Sequence, residues 1–214
     1  QPQPLASSRQ RWIVWLTVLV VSAGIESLLL PGPLFSWDRL GTLISLLLAT
    51  VAIGAVQLSV EISCCKRRAP DVNATFEAQP LGLFLAVGCV VLSRALLFQP
   101  GYIYGVIGML LVLPEPTTAT HAGRRALLVL GAVFGLGVAA WLLTLLTDRV
   151  SADLSALLMT LFLVSLQNVF FALPPLAIMD GGDLWSWDRR LWAAVAFVVG
   201  FFFFHVVVNP GFED

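Results

Sequence analysis

Long, nearly uncharged apolar runs are the feature that most constrains the fold of this chain. Of its 214 residues, 58% are hydrophobic and 12% are charged, whereas about a quarter of the residues of a typical soluble domain carry a charge. A run of about 18 or more apolar residues is long enough to cross the hydrocarbon core of a bilayer as a helix. The sequence therefore predicts a polytopic α-helical protein embedded in the lipid bilayer.

The runs divide the chain into six or seven hydrophobic segments. They cover 12–30, 40 to about 64, 81–98, 101–113, 126–146, 154 to about 171 and 191–208. The segment 101–113 is short for a span, so it either crosses as a thin span or re-enters the membrane. We expect an all-α transmembrane bundle over residues 12–208, preceded by a flexible tail at 1–11 and followed by a C-terminal tail at 209–214.

The basic residues indicate how the segments are oriented. If the N-terminus is cytoplasmic and 101–113 returns the chain to its side of departure, only Arg39 and Arg149 lie outside. The cytoplasmic side then holds Arg9, Arg11, Lys66, Arg67, Arg68, Arg124, Arg125, Arg189 and Arg190. Lys and Arg concentrate on the cytoplasmic side of membrane proteins, so this topology is favoured. The net charge is −1 and there is no basic stripe, so no nucleic-acid partner is expected.

A helix-breaking cluster at 173–182 follows the sixth segment. Pro174 and Pro175 lack backbone donors, Gly181 and Gly182 permit unusual dihedral angles, and Asp180 lies between the two pairs. Irregular backbone at membrane depth is tolerated only where protein buries it or where it lines a wet cavity. Asp180 is therefore a candidate site residue, with a structural alternative in which it caps the turn by accepting hydrogen bonds from the following amides.

The predicted topology places further polar residues at the depth of Asp180. The second and sixth segments run in the same direction, and Gln57 and Glu61 lie one helical turn apart near the end of the second. A parallel pair of helices would bring them to a depth similar to that of Asp180, near the cytoplasmic boundary. The alternative is that Gln57 and Glu61 are wet residues near the headgroups.

The same residues carry a family resemblance. Asn168 followed by Leu173-Pro174-Pro175 and Met179-Asp180-Gly181 resembles the Asn…Leu-Pro…Leu-Asp-Gly signature of site-2 proteases, the intramembrane zinc metalloproteases. Segments 98–105 and 122–123 are similar, more weakly, to a Pro-Gly-Ala-Val-Tyr segment and an Ala-Gly-Pro segment of that family. The resemblance covers about 40–192 and implies a site-2-protease-like core.

In that family a His-Glu-x-x-His motif on an earlier span supplies two zinc ligands and the general base, and the Asp of the Asp-Gly motif is the third ligand. The corresponding stretch here is Gln57-Leu58-Ser59-Val60-Glu61, without either imidazole and with Leu58 at the position of the catalytic Glu. Zn²⁺ prefers nitrogen, sulfur or carboxylate ligands. The resemblance therefore implies a pseudo-protease, and we expect no metal, no cofactor and no catalytic residue.

The hypothesis that follows from the resemblance is a non-catalytic scaffold or regulatory subunit that binds a transmembrane segment of a membrane-protein partner. The resemblance implies a polar groove for that segment, and its candidate residues are Gln57, Glu61, Asn168, Asp180, Gly181 and Gly182. Two alternatives remain open. One is an intramembrane hydrolase that uses Glu61 and Asp180 as an atypical carboxylate pair, and the other is a transporter or permeation subunit.

Three more features lead to expectations. Glu26 and Arg94 lie within segments, where isolated charges are costly, so we predict an intramembrane ion pair between them. Asp183 and Asp188 are interpreted as part of a solvated loop. The small residues from Gly131 to Gly137 have the spacing of close helix contacts and are expected to pack within the fold.

Overall fold

Four long helices and one short helix make up most of the structure. The computed structural model describes residues 37–68, 75–78, 109–112, 118–147, 151–176 and 179–208, together with Thr17 and Val20. The helices are α1 (Trp37–Arg68), α2 (Ala119–Thr147), α3 (Ala152–Ala172), α4 (Asp180–Trp187) and α5 (Arg189–Phe203), and a π-helical turn (Phe204–Val208) continues α5. The described part of the chain is thus predominantly α-helical, as predicted.

Four of the helical stretches are long and apolar enough to cross a membrane. They are Leu40–Arg67, Ala119–Thr147, Ala152–Ala172 and Arg189–Val206. They coincide with the predicted segments 40–64, 126–146, 154–171 and 191–208. The predicted segments 12–30 and 81–98 lie outside the described residues, except that Thr17 and Val20 are helical. The described structure is that of an integral membrane protein with four candidate spans.

A short antiparallel strand pair lies between α1 and α2 in the chain. Strand β1 (Thr75–Ala78) pairs with β2 (Met109–Val112), with Thr75 opposite Val112 and Ala78 opposite Met109. The predicted segment 101–113 therefore contains an extended strand at Met109–Val112, and its other residues lie outside the described ranges. Whether the segment crosses the membrane or re-enters it stays a prediction.

Local sequence signals explain where the helices begin and end. Ser151 is the N-cap of α3 and its hydroxyl accepts from the Leu154 amide. Helix α3 ends before Pro174-Pro175, since proline cannot continue the hydrogen-bond ladder. Asp188 is the N-cap of α5, where one carboxylate oxygen accepts from the amides of Arg190 at 2.8 Å and Leu191 at 3.2 Å. Such caps satisfy amides that have no partner within the helix.

The core lies where α1, α2, α3 and α4 meet, and α5 packs against α3 and α4. Aromatic contacts pack the end of α5 against α2 and α3. Phe203 stacks on Phe170 of α3 with ring centres 3.9 Å apart, and Phe202 contacts Phe134 of α2 edge to face at 5.6 Å. The buried side chains include Leu46, Ala49, Ile53, Leu130, Val133, Ala140, Phe162, Val164, Leu166, Val169, Leu173, Leu184, Val199 and Phe203.

The glycines of α2 divide between two faces. A Cβ atom on Gly137 would lie 2.8 Å from the Ser165 Cβ, so Gly137 lets α2 and α3 approach closely. Gly131 and Gly135 are exposed, and a Cβ atom on either would meet nothing within 4 Å among the residues described. The expectation that this stretch packs within the fold is confirmed for Gly137, whereas it stays a prediction for Gly131 and Gly135, which have no such neighbour among the described residues.

Candidate functional site

The turn between α3 and α4 is held by main-chain contacts. The Leu176 amide donates to the Pro174 carbonyl at 2.8 Å, and the Gly182 amide donates to the Met179 carbonyl at 2.9 Å. Gly181 is buried, and a Cβ atom there would lie 2.7 Å from the Pro174 carbonyl oxygen and closer still to the Leu173 carbonyl group. Only glycine allows this approach, because the atoms in the way belong to backbone.

The carbonyl of Leu173 has a further partner. The indole Nε1 of Trp192, near the start of α5, donates to it at 2.8 Å. The last carbonyls of a helix have no partner within the helix, so this bond satisfies one of them where the prolines interrupt the ladder. Residues of α5 therefore help to fix the backbone against which α4 begins.

Two amide side chains join α1 to α3. The Nε2 of Gln57 donates to the Oδ1 of Asn168 at 3.1 Å. Asn168 is 4% exposed, whereas Gln57 is half-buried. A hydrogen bond between side chains of two apolar helices holds those helices together where no water competes. The structure thus brings these two predicted site residues into direct contact.

A charged cluster lies beside this amide pair. Arg125 on α2 forms an ion pair with Asp183 on α4, with 3.0 Å between Nη2 and Oδ2. Glu61, half-buried on α1, lies within electrostatic range of both Arg125 and Asp180. One guanidinium therefore faces carboxylates from two other helices. We call Glu61, Arg125, Asp180 and Asp183 the charge cluster.

Asp180 is the first residue of α4, and Met179 occupies the N-cap position. Asp180 therefore does not cap the start of α4, as the structural alternative expected. Burial raises the pKa of the Asp180 carboxyl above its ordinary value; Arg125 acts to lower this pKa and Asp183 acts to raise it. Asp180 and Asp183 both lie in the first turn of α4, where the helix dipole favours negative charge.

The predicted site residues thus occupy one end of the bundle. Gln57 and Asn168 touch, Glu61 and Asp180 interact electrostatically, and Gly181 shapes the turn from its buried position. Gly182 is half-buried and bonds back to Met179. The other predicted pair, Glu26 and Arg94, lies outside the described residues.

Sequence reasoning missed two members of the charge cluster. Asp183 was interpreted as part of a solvated loop, which is wrong because it belongs to α4 and pairs with Arg125. Asp188, placed in the same loop, caps α5. Arg125 counted only as a basic residue outside a segment that starts at 126, but α2 begins at Ala119. A helix continued to its polar start would have placed Arg125 within α2.

The site does not fit the zinc ion that site-2 proteases hold at the corresponding positions. The side chains at the relevant positions are a carboxamide, Gln57, and two carboxylates, Glu61 and Asp180, and the Arg125 guanidinium already supplies positive charge among the carboxylates. Within the described ranges no group of three His, Cys, Asp or Glu residues is arranged to hold a metal ion. We therefore derive no chemistry that passes through a metal.

Comparisons with protein-family models, with curated proteins and with solved structures find no match to this chain. The site-2-protease-like assignment accordingly rests on the motif of the turn and on the residues before it.

Proposed function

We propose that this chain is a non-enzymatic integral membrane protein that binds a transmembrane segment of a partner protein and acts as a scaffold or regulatory subunit. The observation that carries the proposal is the Gln57–Asn168 hydrogen bond between α1 and α3, beside a cluster in which one guanidinium serves several carboxylates. The carboxamide, carboxylate and guanidinium groups of these residues can donate or accept hydrogen bonds to a partner helix. Paired as they are, none of them is an activated nucleophile.

Gln57 has hydrogen-bonding capacity left for a partner. A carboxamide offers two N–H donors and one oxygen with two lone pairs, and the bond to Asn168 uses one N–H. Gln57 and Glu61 on α1 are half-buried, whereas Asn168 behind them is almost fully buried. Among the described residues, the polar side chains of this site are therefore most accessible along α1, and a polar residue on an incoming helix would meet Gln57 first. Polar side chains strengthen helix association in lipid for this reason.

Site-directed photocrosslinking in the native membrane tests the proposal. A photoreactive residue at Leu58, next to Gln57, is expected to give a discrete adduct with a membrane protein, and the same residue at Leu40 serves as the control. Leu40 lies at the other end of α1 and is exposed. The adduct should disappear when Gln57→Leu is added and persist with Ser59→Ala. The Ser59 hydroxyl is exposed and bonds only back to Ala55 in the described structure. The proposal would be contradicted if no adduct formed, or if the adduct persisted when Gln57 was replaced by Leu.

The proximity of Glu61 and Asp180 favours one second candidate, an intramembrane hydrolase that uses a carboxylate pair. Two carboxyl groups that share a proton supply one acid and one base in the known aspartic hydrolases. Arg125 opposes this function, since it stabilises the ionised form of both groups. Cleavage of a labelled transmembrane peptide by the reconstituted chain, abolished by Glu61→Gln and by Asp180→Asn but not by Asp183→Asn, would replace the first proposal with this one.

A further inference from the structure

A cationic and aromatic surface lies at the same end of the bundle as the charge cluster but is formed by other residues. The guanidinium of Arg124 lies over the Trp187 ring, 5.9 Å from its centre, and that of Arg189 lies over the Trp185 ring at 5.1 Å. Arg190 follows and is exposed, as are Arg124 and Arg189. We call these five residues the arginine–tryptophan patch. Three helices supply it: α2, α4 and α5.

The positive charge of the patch is only partly offset by acids of the described structure. The ion pair found there joins Arg125 to Asp183, so Asp183 is engaged elsewhere. The nearest acid in the chain, Asp188, accepts from the backbone amides of Arg190 and Leu191 and keeps its negative charge, so one carboxylate is set against three arginines. Helix α1 adds exposed Lys66 and Arg67 at this end, one to two turns beyond Glu61. The surface is therefore electropositive.

The position of the patch along the helices sets it at the boundary of the membrane. Arg124 lies near the start of the candidate span Ala119–Thr147, and Arg189 is the first residue of the span Arg189–Val206. Tryptophan rings prefer the headgroup level of a bilayer. A guanidinium stacked on an indole ring keeps its N–H edge free, and that planar edge matches the oxygens of a phosphate group.

From this arrangement we infer that the arginine–tryptophan patch is a binding site for the headgroups of anionic phospholipids. Arg124 beside Trp187 and Arg189 beside Trp185 each bind a headgroup phosphate, one on either side of α4, and Arg190 adds a third charge. The inference is independent of the partner-binding function proposed above, because it uses no residue of the amide pair or of the charge cluster.

Tryptophan quenching by brominated lipids measures this preference. The full chain is reconstituted with Trp12, Trp15, Trp37 and Trp141 replaced by Phe, so that fluorescence comes from Trp185, Trp187 and Trp192. Vesicles contain brominated phosphatidylglycerol or brominated phosphatidylcholine at equal fractions. We expect the anionic lipid to be preferred by about fivefold to thirtyfold, the effect of one or two arginines near a charged headgroup.

Variants distinguish lipid binding at this patch from a non-specific attraction of anionic lipids to the basic residues of the chain. Arg124→Gln, Arg189→Gln and Arg190→Gln together should reduce the ratio to about one, and replacement of the same three residues by Lys should retain most of the preference. Arg39→Gln, at the opposite end of α1, should change nothing. If the triple Gln variant does not insert, Arg190→Gln alone gives the same test with a smaller loss.

Three outcomes would overturn the inference. The first is equal quenching by the two lipids in the chain with all its arginines. The second is a preference that survives the removal of the three arginines. The third is full displacement of the anionic lipid by inorganic phosphate, which would show a free phosphate site instead of a lipid site.

Discussion

Gln57 on α1 donates a hydrogen bond to Asn168 on α3 over 3.1 Å, and this bond joins two helices that are 111 residues apart in the chain. It lies deep enough that Asn168 retains only 4% of its exposure. The pair marks the end of the bundle at which the amide, carboxylate and guanidinium groups gather. Its energetic contribution can be measured directly.

Replacing one member of this pair should destabilise the protein more than replacing both. Asn168→Leu leaves the Gln57 amide in an apolar setting, and we expect a loss of about 1–2 kcal/mol in the free energy of unfolding. Gln57→Leu with Asn168→Leu should recover part of that loss. A double-mutant cycle measured by unfolding in mixed micelles gives the coupling energy, with Ser59→Ala as the control. Additive single effects would show that the bond contributes nothing.

Arg125→Gln should be more damaging than Asp183→Asn. Loss of the guanidinium leaves Glu61, Asp180 and Asp183 without their shared counter-charge, whereas loss of Asp183 leaves Arg125 with two other carboxylates. The ion pair is partly exposed, so we expect about 1–3 kcal/mol for Arg125→Gln, less than the loss for a fully buried pair. Thermal unfolding in detergent compares the two variants. Equal losses would mean that Arg125 acts on Asp183 alone.

Gly181→Ala should disrupt the turn between α3 and α4. The new methyl group would overlap the backbone carbonyl of Leu173, which cannot move without shifting the end of α3. We expect a loss of about 1–3 kcal/mol, typical of overpacking. Gly131→Ala is the matched control, because its Cβ meets nothing among the described residues and alanine favours helix. If both variants retain the unfolding temperature of the parent, the close approach at Gly181 is not a constraint.

Asp180 should make stability depend on pH. Its folded pKa is raised above the ordinary value of 3.8, so the folded state holds the proton more tightly than the unfolded state. The stabilisation from this group is therefore fully present below its ordinary pKa and is lost as the pH rises through the raised folded pKa. Asp180→Asn should flatten that decline. Unfolding temperatures measured across the acid range test the direction of this pH dependence. The prediction would be contradicted if stability rose with pH in the parent and this rise were lost in Asp180→Asn.

Much of the helical framework could be predicted from apolar runs, since hydropathy reports which stretches avoid water. The run at 126–146 predicted α2 but not its start at Ala119, because the first turns carry His121, Arg124 and Arg125. The proximity of α1 and α3 followed from assuming parallel spans. The contact of Arg125 with Asp183 did not, because it joins helices 58 residues apart and leaves no periodic signal in either. Similarly, nothing local predicted the pairing of β1 with β2.

The contact of Gly181 with the Leu173 carbonyl has a consequence for how this end of the molecule can evolve. It holds the first turn of α4 against the end of α3 through main-chain atoms, whichever acids the helix carries. Asp180 and Asp183 could each be exchanged for another side chain without removing that contact. The backbone of this turn can therefore stay the same while the side chains at positions 180 and 183 change.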